Sequence, residues 1–133
     1  MLKERVLTAI VLVVVLLVFL FAPALWTLGF FLVVITVAGW EWAGLAGLTA
    51  NQRIGFALLV AVAAAVSFFA LVSDGKVSGE AVAGILGAAC AGWALLLLWV
   101  KTYPGSAAIW GSSVTRACLG LLILLSAWVG LLY

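Results

Sequence analysis

Long apolar stretches separated by short polar ones organise this chain. Five such stretches stand out, at Leu2–Phe21, Leu25–Leu48, Ile54–Val72, Ala81–Val100 and Val114–Leu132. Each is close to the ~20 residues that an α-helix rising ~1.5 Å per residue needs to cross ~30 Å of hydrocarbon. They do not alternate polar and apolar positions as a membrane β-strand does. A backbone facing lipid must also satisfy its N–H and C=O groups internally, so helices are predicted. The breaks carry turn chemistry: Pro23 in "APALW", the polar "TANQR", the Asp-Gly of "SDGKVSGE" and the long "KTYPGSAAIWGSS". Ser112 or Ser113 suits an N-cap for the last helix, and Glu80 suits the positive end of the fourth. The predicted fold is all-α, a polytopic transmembrane bundle of about five spanning helices forming one membrane-embedded domain over residues 1–133.

Composition strengthens this picture. Of 133 residues, 69% are hydrophobic and 8% charged, against roughly a quarter charged in a soluble domain. A net charge of +2 without a Lys/Arg cluster excludes a nucleic-acid partner. The first stretch has the basic start, apolar core and small-Pro-small ending of a secretory signal. Its length and the membrane character of everything downstream favour an uncleaved first helix. Cys90 and Cys118 lie within apolar runs and read as free, buried thiols; two Cys and no His do not make a metal site.

The charges give an orientation. Lys3 and Arg5 precede the first helix, Arg53 lies between the second and third, and Lys101 and Arg116 bracket the connection of the fourth and fifth. The first turn is uncharged, and the connection holding Asp74, Lys76 and Glu80 is net negative. Basic residues therefore recur at every second connection, which predicts a cytoplasmic N-terminus and an outward C-terminus. Two small-residue stripes, Ala57/Ala61/Ala65 and Gly84/Ala88/Gly92, mark faces where helices are expected to approach closely within the bundle.

Glu41, between Trp40 and Trp42, is the outstanding polar position. A carboxylate in a spanning segment is a functional candidate by default. With the helix running inward, however, Glu41 lies near the cytoplasmic boundary, where tryptophans gather. A carboxylate at headgroup depth, or one paired with Arg53, Arg5 or a helix terminus, is the structural expectation. Contact with a substrate or partner and proton coupling are the functional ones. Asp74 and Glu80 read as a turn and a helix start, and Tyr103, Trp110 and Trp99 suit the same interface. No nucleophile–base pair or phosphate loop is present.

"MLKERVLTAIVL", followed by "AGWEWAGLAGL", resembles the opening of bacterial phosphatidate cytidylyltransferase, also called CDP-diacylglycerol synthase. That family begins with a Met-Leu-Lys-x-Arg-x-x-Thr-Ala block and carries a Trp-Glu-Trp-Ala segment at the end of an early helix; "TYP" fits as well. The resemblance implies a multi-pass enzyme of the bacterial inner membrane. Such an enzyme condenses CTP with phosphatidate to CDP-diacylglycerol and pyrophosphate, using Mg²⁺. The family's catalytic block is rich in Lys, Asp and Arg, contains a Gly-His-Gly-Gly stretch and lies in the C-terminal half. This chain has no His and a single Asp. The expectation is thus an N-terminal portion without catalytic, cofactor-binding or metal residues. Its partners would be membrane lipids, its own C-terminal half and, as an option, a second copy. Glu41, Trp40 and Trp42 are kept as structural or lipid-side contacts. The contrasting readings are a small proton-coupled transporter subunit using Glu41 and a non-enzymatic membrane scaffold.

Overall fold

The computed structural model describes residues 2–133. Its elements in chain order are α1 (Leu2–Leu20), α2 (Ala24–Leu45), α3 (Ala50–Leu71), β1 (Val72–Ser73), β2 (Lys76–Val77), α4 (Gly79–Lys101), α5 (Ala107–Trp110) and α6 (Ser113–Leu132). The all-α membrane fold expected from the apolar pattern is observed. Among the described residues four helices, α2, α3, α4 and α6, are long and apolar enough to cross a membrane. That count is four, not five. Lys3, Glu4 and Arg5 occupy the first turn of α1, leaving residues 6–20 as its uncharged part. At ~1.5 Å per residue this part reaches about 22 Å, short of the ~30 Å hydrocarbon layer.

The chain divides into two compact units, with the boundary inside α2 between Phe31 and Leu32. In the first unit, α1 ends before Pro23, and the start of α2 is tied back to it. The Thr27 hydroxyl donates to the Phe19 carbonyl at 2.5 Å, and the Phe19 and Phe30 rings stack at 4.2 Å.

The second unit holds the core. A stripe of Ile35, Gly39 and Ala43 on α2 is buried, as are Ala57, Val60 and Ala64 on α3. A Cβ placed on Gly39 would come within 3.1 Å of the Val60 side chain, so the small residue sets how closely α2 and α3 approach. The buried face of α3 differs from the Ala57/Ala61/Ala65 row. A repeat of four drifts around a 3.6-residue helix, and the partner instead follows residues 57, 60 and 64. The Gly84/Ala88/Gly92 stripe of α4 also departs from expectation. Gly84 and Ala88 are exposed, and a Cβ on Gly84 or Gly92 would meet nothing within 4 Å. Val82 is the buried residue of α4, and Leu86 meets α6 near Gly130.

The connections follow their local chemistry. Asp74 and Gly75 have φ of 51° and 71°, the positive values that a two-residue type I′ hairpin requires. They close the small β1–β2 ladder. The Ser112 hydroxyl accepts from the Thr115 N–H at 3.1 Å and caps α6 as expected. Cys90 and Cys118 are free, as read from sequence, but both are exposed. The apolar surroundings inferred for them are lipid and not protein interior, in keeping with the many large exposed apolar side chains, such as Leu97 and Leu122. Trp128 is only 2% exposed, yet its indole N–H lacks an acceptor among the described residues.

Gly120 is the tightest point of the core. A Cβ there would overlap the Trp42 indole. Gly120→Ala is therefore expected to destabilise the fold by about 1–3 kcal/mol through overpacking. Thermal unfolding of the detergent-solubilised protein, compared with the harmless Gly87→Ala, checks this.

Candidate functional site

The residues singled out around Glu41 meet at one end of the second unit, and the end of α2 explains why. Gly47 adopts φ of 83°, and its N–H bonds to the Gly44 carbonyl at 3.1 Å while the Leu48 N–H reaches the Ala43 carbonyl at 3.0 Å. This double bond pattern with glycine at its centre is a Schellman cap. It stops α2 at Leu45, three residues earlier than the apolar run alone predicts. The next helix starts almost at once. Thr49 is the N-cap of α3, and its backbone N–H is received by the Gln52 side chain at 2.9 Å.

Because the turn is so short, Arg53 in the first turn of α3 folds back along the last turns of α2. Its guanidinium lies 3.9 Å from the centre of the Trp40 ring, and Nε donates to the Trp40 carbonyl at 3.3 Å. Gly44 makes room for it, since a Cβ there would stand 2.9 Å from the guanidinium carbon. Arg53, one of the expected partners of Glu41, is thus engaged by the neighbouring tryptophan, and Glu41 itself is exposed. Trp40 and Trp42 point to different tasks. Trp42 is half-buried, and its indole N–H donates to the Arg116 carbonyl at 2.8 Å, bridging α2 to the start of α6.

Arg116 and the α4–α6 connection complete the cluster. The Arg116 Nε donates to the Trp110 carbonyl at 3.3 Å. Ser106 is buried, donates to the Trp99 carbonyl at 2.6 Å and accepts a long bond from the Trp110 indole at 3.4 Å. Short α5 thereby lies against the end of α4. Arg53 and Arg116 share one end of the bundle with Trp40, Trp42, Trp99 and Trp110. The alternation of charge in the sequence pointed to this grouping for the two arginines. The role of Ser106 and the short helix α5 had no signal beyond a polar stretch.

From this end a groove of about 340 Å³, bounded by Trp42, Trp110 and Arg116, opens between α2, α4 and α6. A second groove of about 610 Å³ continues between α4 and α6 towards Ser67 and Val129. The two share Trp93, Leu96, Trp99, Leu119 and Ile123 as walls, so they form one channel along the bundle. Among the described residues no group of three or more His, Cys, Asp or Glu is placed to hold a metal ion. The described side chains therefore form no site for the Mg²⁺ that the resemblance implies, and no chemical step is derived through it.

Fold and cluster together define a polytopic helical membrane protein with a basic, tryptophan-rich end. Among curated proteins, the chain is similar to the phosphatidate cytidylyltransferase of Pseudomonas aeruginosa, with 39% identity over 134 residues. The match takes in 98% of this chain and 46% of that relative, so the chain spans less than half the relative's length. No family model matches the chain. No solved structure is matched either. The resemblance carried by "MLKERVLTAIVL" and "AGWEWAGLAGL" thus extends over nearly the whole chain.

The two kinds of residue in "GWEW" should separate in stability measurements. Glu41→Gln, at an exposed position, is expected to change stability by no more than about 0.5 kcal/mol. Trp42→Ala removes a packed ring and an interhelical hydrogen bond, and should cost about 3 kcal/mol or more. Unfolding midpoints of the two variants in the same detergent test this.

Proposed function

We propose that this chain is the N-terminal membrane portion of a phosphatidate cytidylyltransferase. In the complete enzyme, CTP and phosphatidate give CDP-diacylglycerol and pyrophosphate. The observation that carries this reading is the similarity to the P. aeruginosa enzyme along 98% of the chain. The helical membrane architecture supports it. On this reading the chain contributes no reacting group. Its part is to build the bundle and to present a lipid-facing surface, while Mg²⁺ and the nucleotide are held by the C-terminal half. Glu41, Trp40 and Trp42 form the interfacial end of this surface, and the carboxylate serves architecture rather than proton transfer.

The location that follows is the bacterial inner membrane, with Arg53 and Arg116 on the cytoplasmic side. Excess basic charge at one end supports that direction. The cytoplasmic side is also where CTP is available to the partner half.

Two measurements test the proposal. The 133-residue chain, supplied with CTP, Mg²⁺ and phosphatidate vesicles, is expected to give no CDP-diacylglycerol, and co-expression with the C-terminal half of the relative should restore turnover. Robust turnover by the chain alone, or no restoration by a folded, co-purifying partner half, would overturn it. For orientation, single cysteines introduced at Gln52 and at Ser73, with Cys90 and Cys118 replaced by Ala, should differ in intact cells. The Ser73 position should react with a membrane-impermeant maleimide and the Gln52 position should not; the reverse pattern would invert the topology.

A further inference from the structure

The channel along α4 and α6 has the chemistry of a lipid and not of a polar solute. Its walls are apolar, and the two hydroxyls in its deep part are turned away from use. Ser67 donates to the Ala64 carbonyl at 2.8 Å and Ser126 to the Ile123 carbonyl at 2.9 Å, each within its own helix. At the other end, the indole N–H groups of Trp42 and Trp110 are likewise taken, by the Arg116 carbonyl and the Ser106 hydroxyl. Among the residues lining the channel, Arg116 alone is charged. A single positive charge at one end of an otherwise apolar trough calls for a ligand with an anionic head and a long apolar tail.

Dimensions agree with that ligand. Arg116 and Val129, at the two ends, are 13 positions apart on α6, which is about 20 Å along the helix axis. One leaflet of the hydrocarbon layer is about 15 Å deep, half of ~30 Å. The channel therefore runs from headgroup level through the depth reached by an acyl chain. It opens sideways, since Trp93, Leu95 and Leu122 on its rim are more than half exposed. A lipid can enter from the bilayer without leaving it.

We propose that this channel seats one acyl chain of an anionic glycerophospholipid, with the lipid phosphate against the Arg116 guanidinium. The site is a lipid seat in its own right; it goes beyond the reading above, and its test does not depend on turnover. Gly92 forms part of the floor, and the absence of any atom within 4 Å of its missing Cβ leaves the width that a methylene chain needs.

The test uses the full chain in phosphatidylcholine vesicles containing a small amount of chain-spin-labelled phosphatidylglycerol or phosphatidylcholine. The motionally restricted fraction of label is measured by electron paramagnetic resonance. Phosphatidylglycerol is expected to associate about fivefold more strongly than phosphatidylcholine, the ratio that one interfacial cation supplies. Arg116→Gln should bring the ratio close to one, Arg116→Lys should keep most of it, and raising the salt concentration should lower it in the unaltered protein. Gly92→Leu, whose Cβ meets no neighbour and whose longer side chain enters the channel, should reduce the restricted fraction for both lipids while the unfolding midpoint stays that of the unaltered protein. Gly87→Leu, with a Cβ equally free of neighbours but outside the channel, should not. Equal association of the two lipids in the unaltered protein would overturn the proposal. So would a restricted fraction that Gly92→Leu leaves unchanged, or a Gly92→Leu effect confined to the oligomeric state, which would assign the channel to a second copy or another helix.

Discussion

The hydrogen bond from the Trp42 indole to the Arg116 carbonyl, made across a helix surface kept bare by Gly120, is the constraint on which the second unit depends. It joins residues 74 positions apart, closing the bundle between the end of α2 and the start of α6. In a bilayer the hydrophobic effect does little to hold one helix against another, so close packing and interhelical hydrogen bonds must do so. This contact supplies both. Moving the ring outwards by the width of one methyl group would lengthen the bond and widen the approach of α2 to α6.

From that closure the remaining geometry follows. With α6 held at its N-terminal end by Trp42, its length lies against α3 on one side and α4 on the other. The channel is the space left where α4 leans on α6 through Leu86 at one end and through the Trp99–Ser106–Trp110 connection at the other. Tryptophan is suited to this boundary because it offers a large apolar body and one donor. Here Trp42 and Trp110 spend that donor on protein acceptors, while Trp40 offers its ring face to Arg53.

Much of this was legible in the sequence, for reasons that are local. Apolar runs of spanning length, the Asp-Gly turn and the Ser112 cap each act within a few residues, and each appears in the structure. The alternating charges correctly placed Arg53 and Arg116 at a common end. What was hidden depends on three-dimensional partners. The buried face of α3 is chosen by the helix that covers it, so a regular row of alanines was a poor guide, and the α4 stripe proved to be floor and outer surface instead of a seam. The first helix looked long enough because its charged turn was counted into an apolar run. Glu41 is the one charged residue of its segment, whereas the anchoring falls to Trp42 beside it and to a glycine with no side chain to notice. No local pattern could reveal that Trp110 and Ser106 would fold back onto Trp99.

The back-folded Arg53 has a consequence for how charge operates in such a chain. Its guanidinium sits over the last turns of α2, where the carbonyl ends leave a partial negative charge. On the proposed orientation, the cation that biases which way the helices enter the bilayer is afterwards absorbed into the fold as a fixture of a helix end. The signal for insertion and the clasp of the finished bundle are thus written in one residue. On that orientation, removing its charge would alter both the path into the membrane and the state reached there, coupling the orientation of this hairpin to its packing.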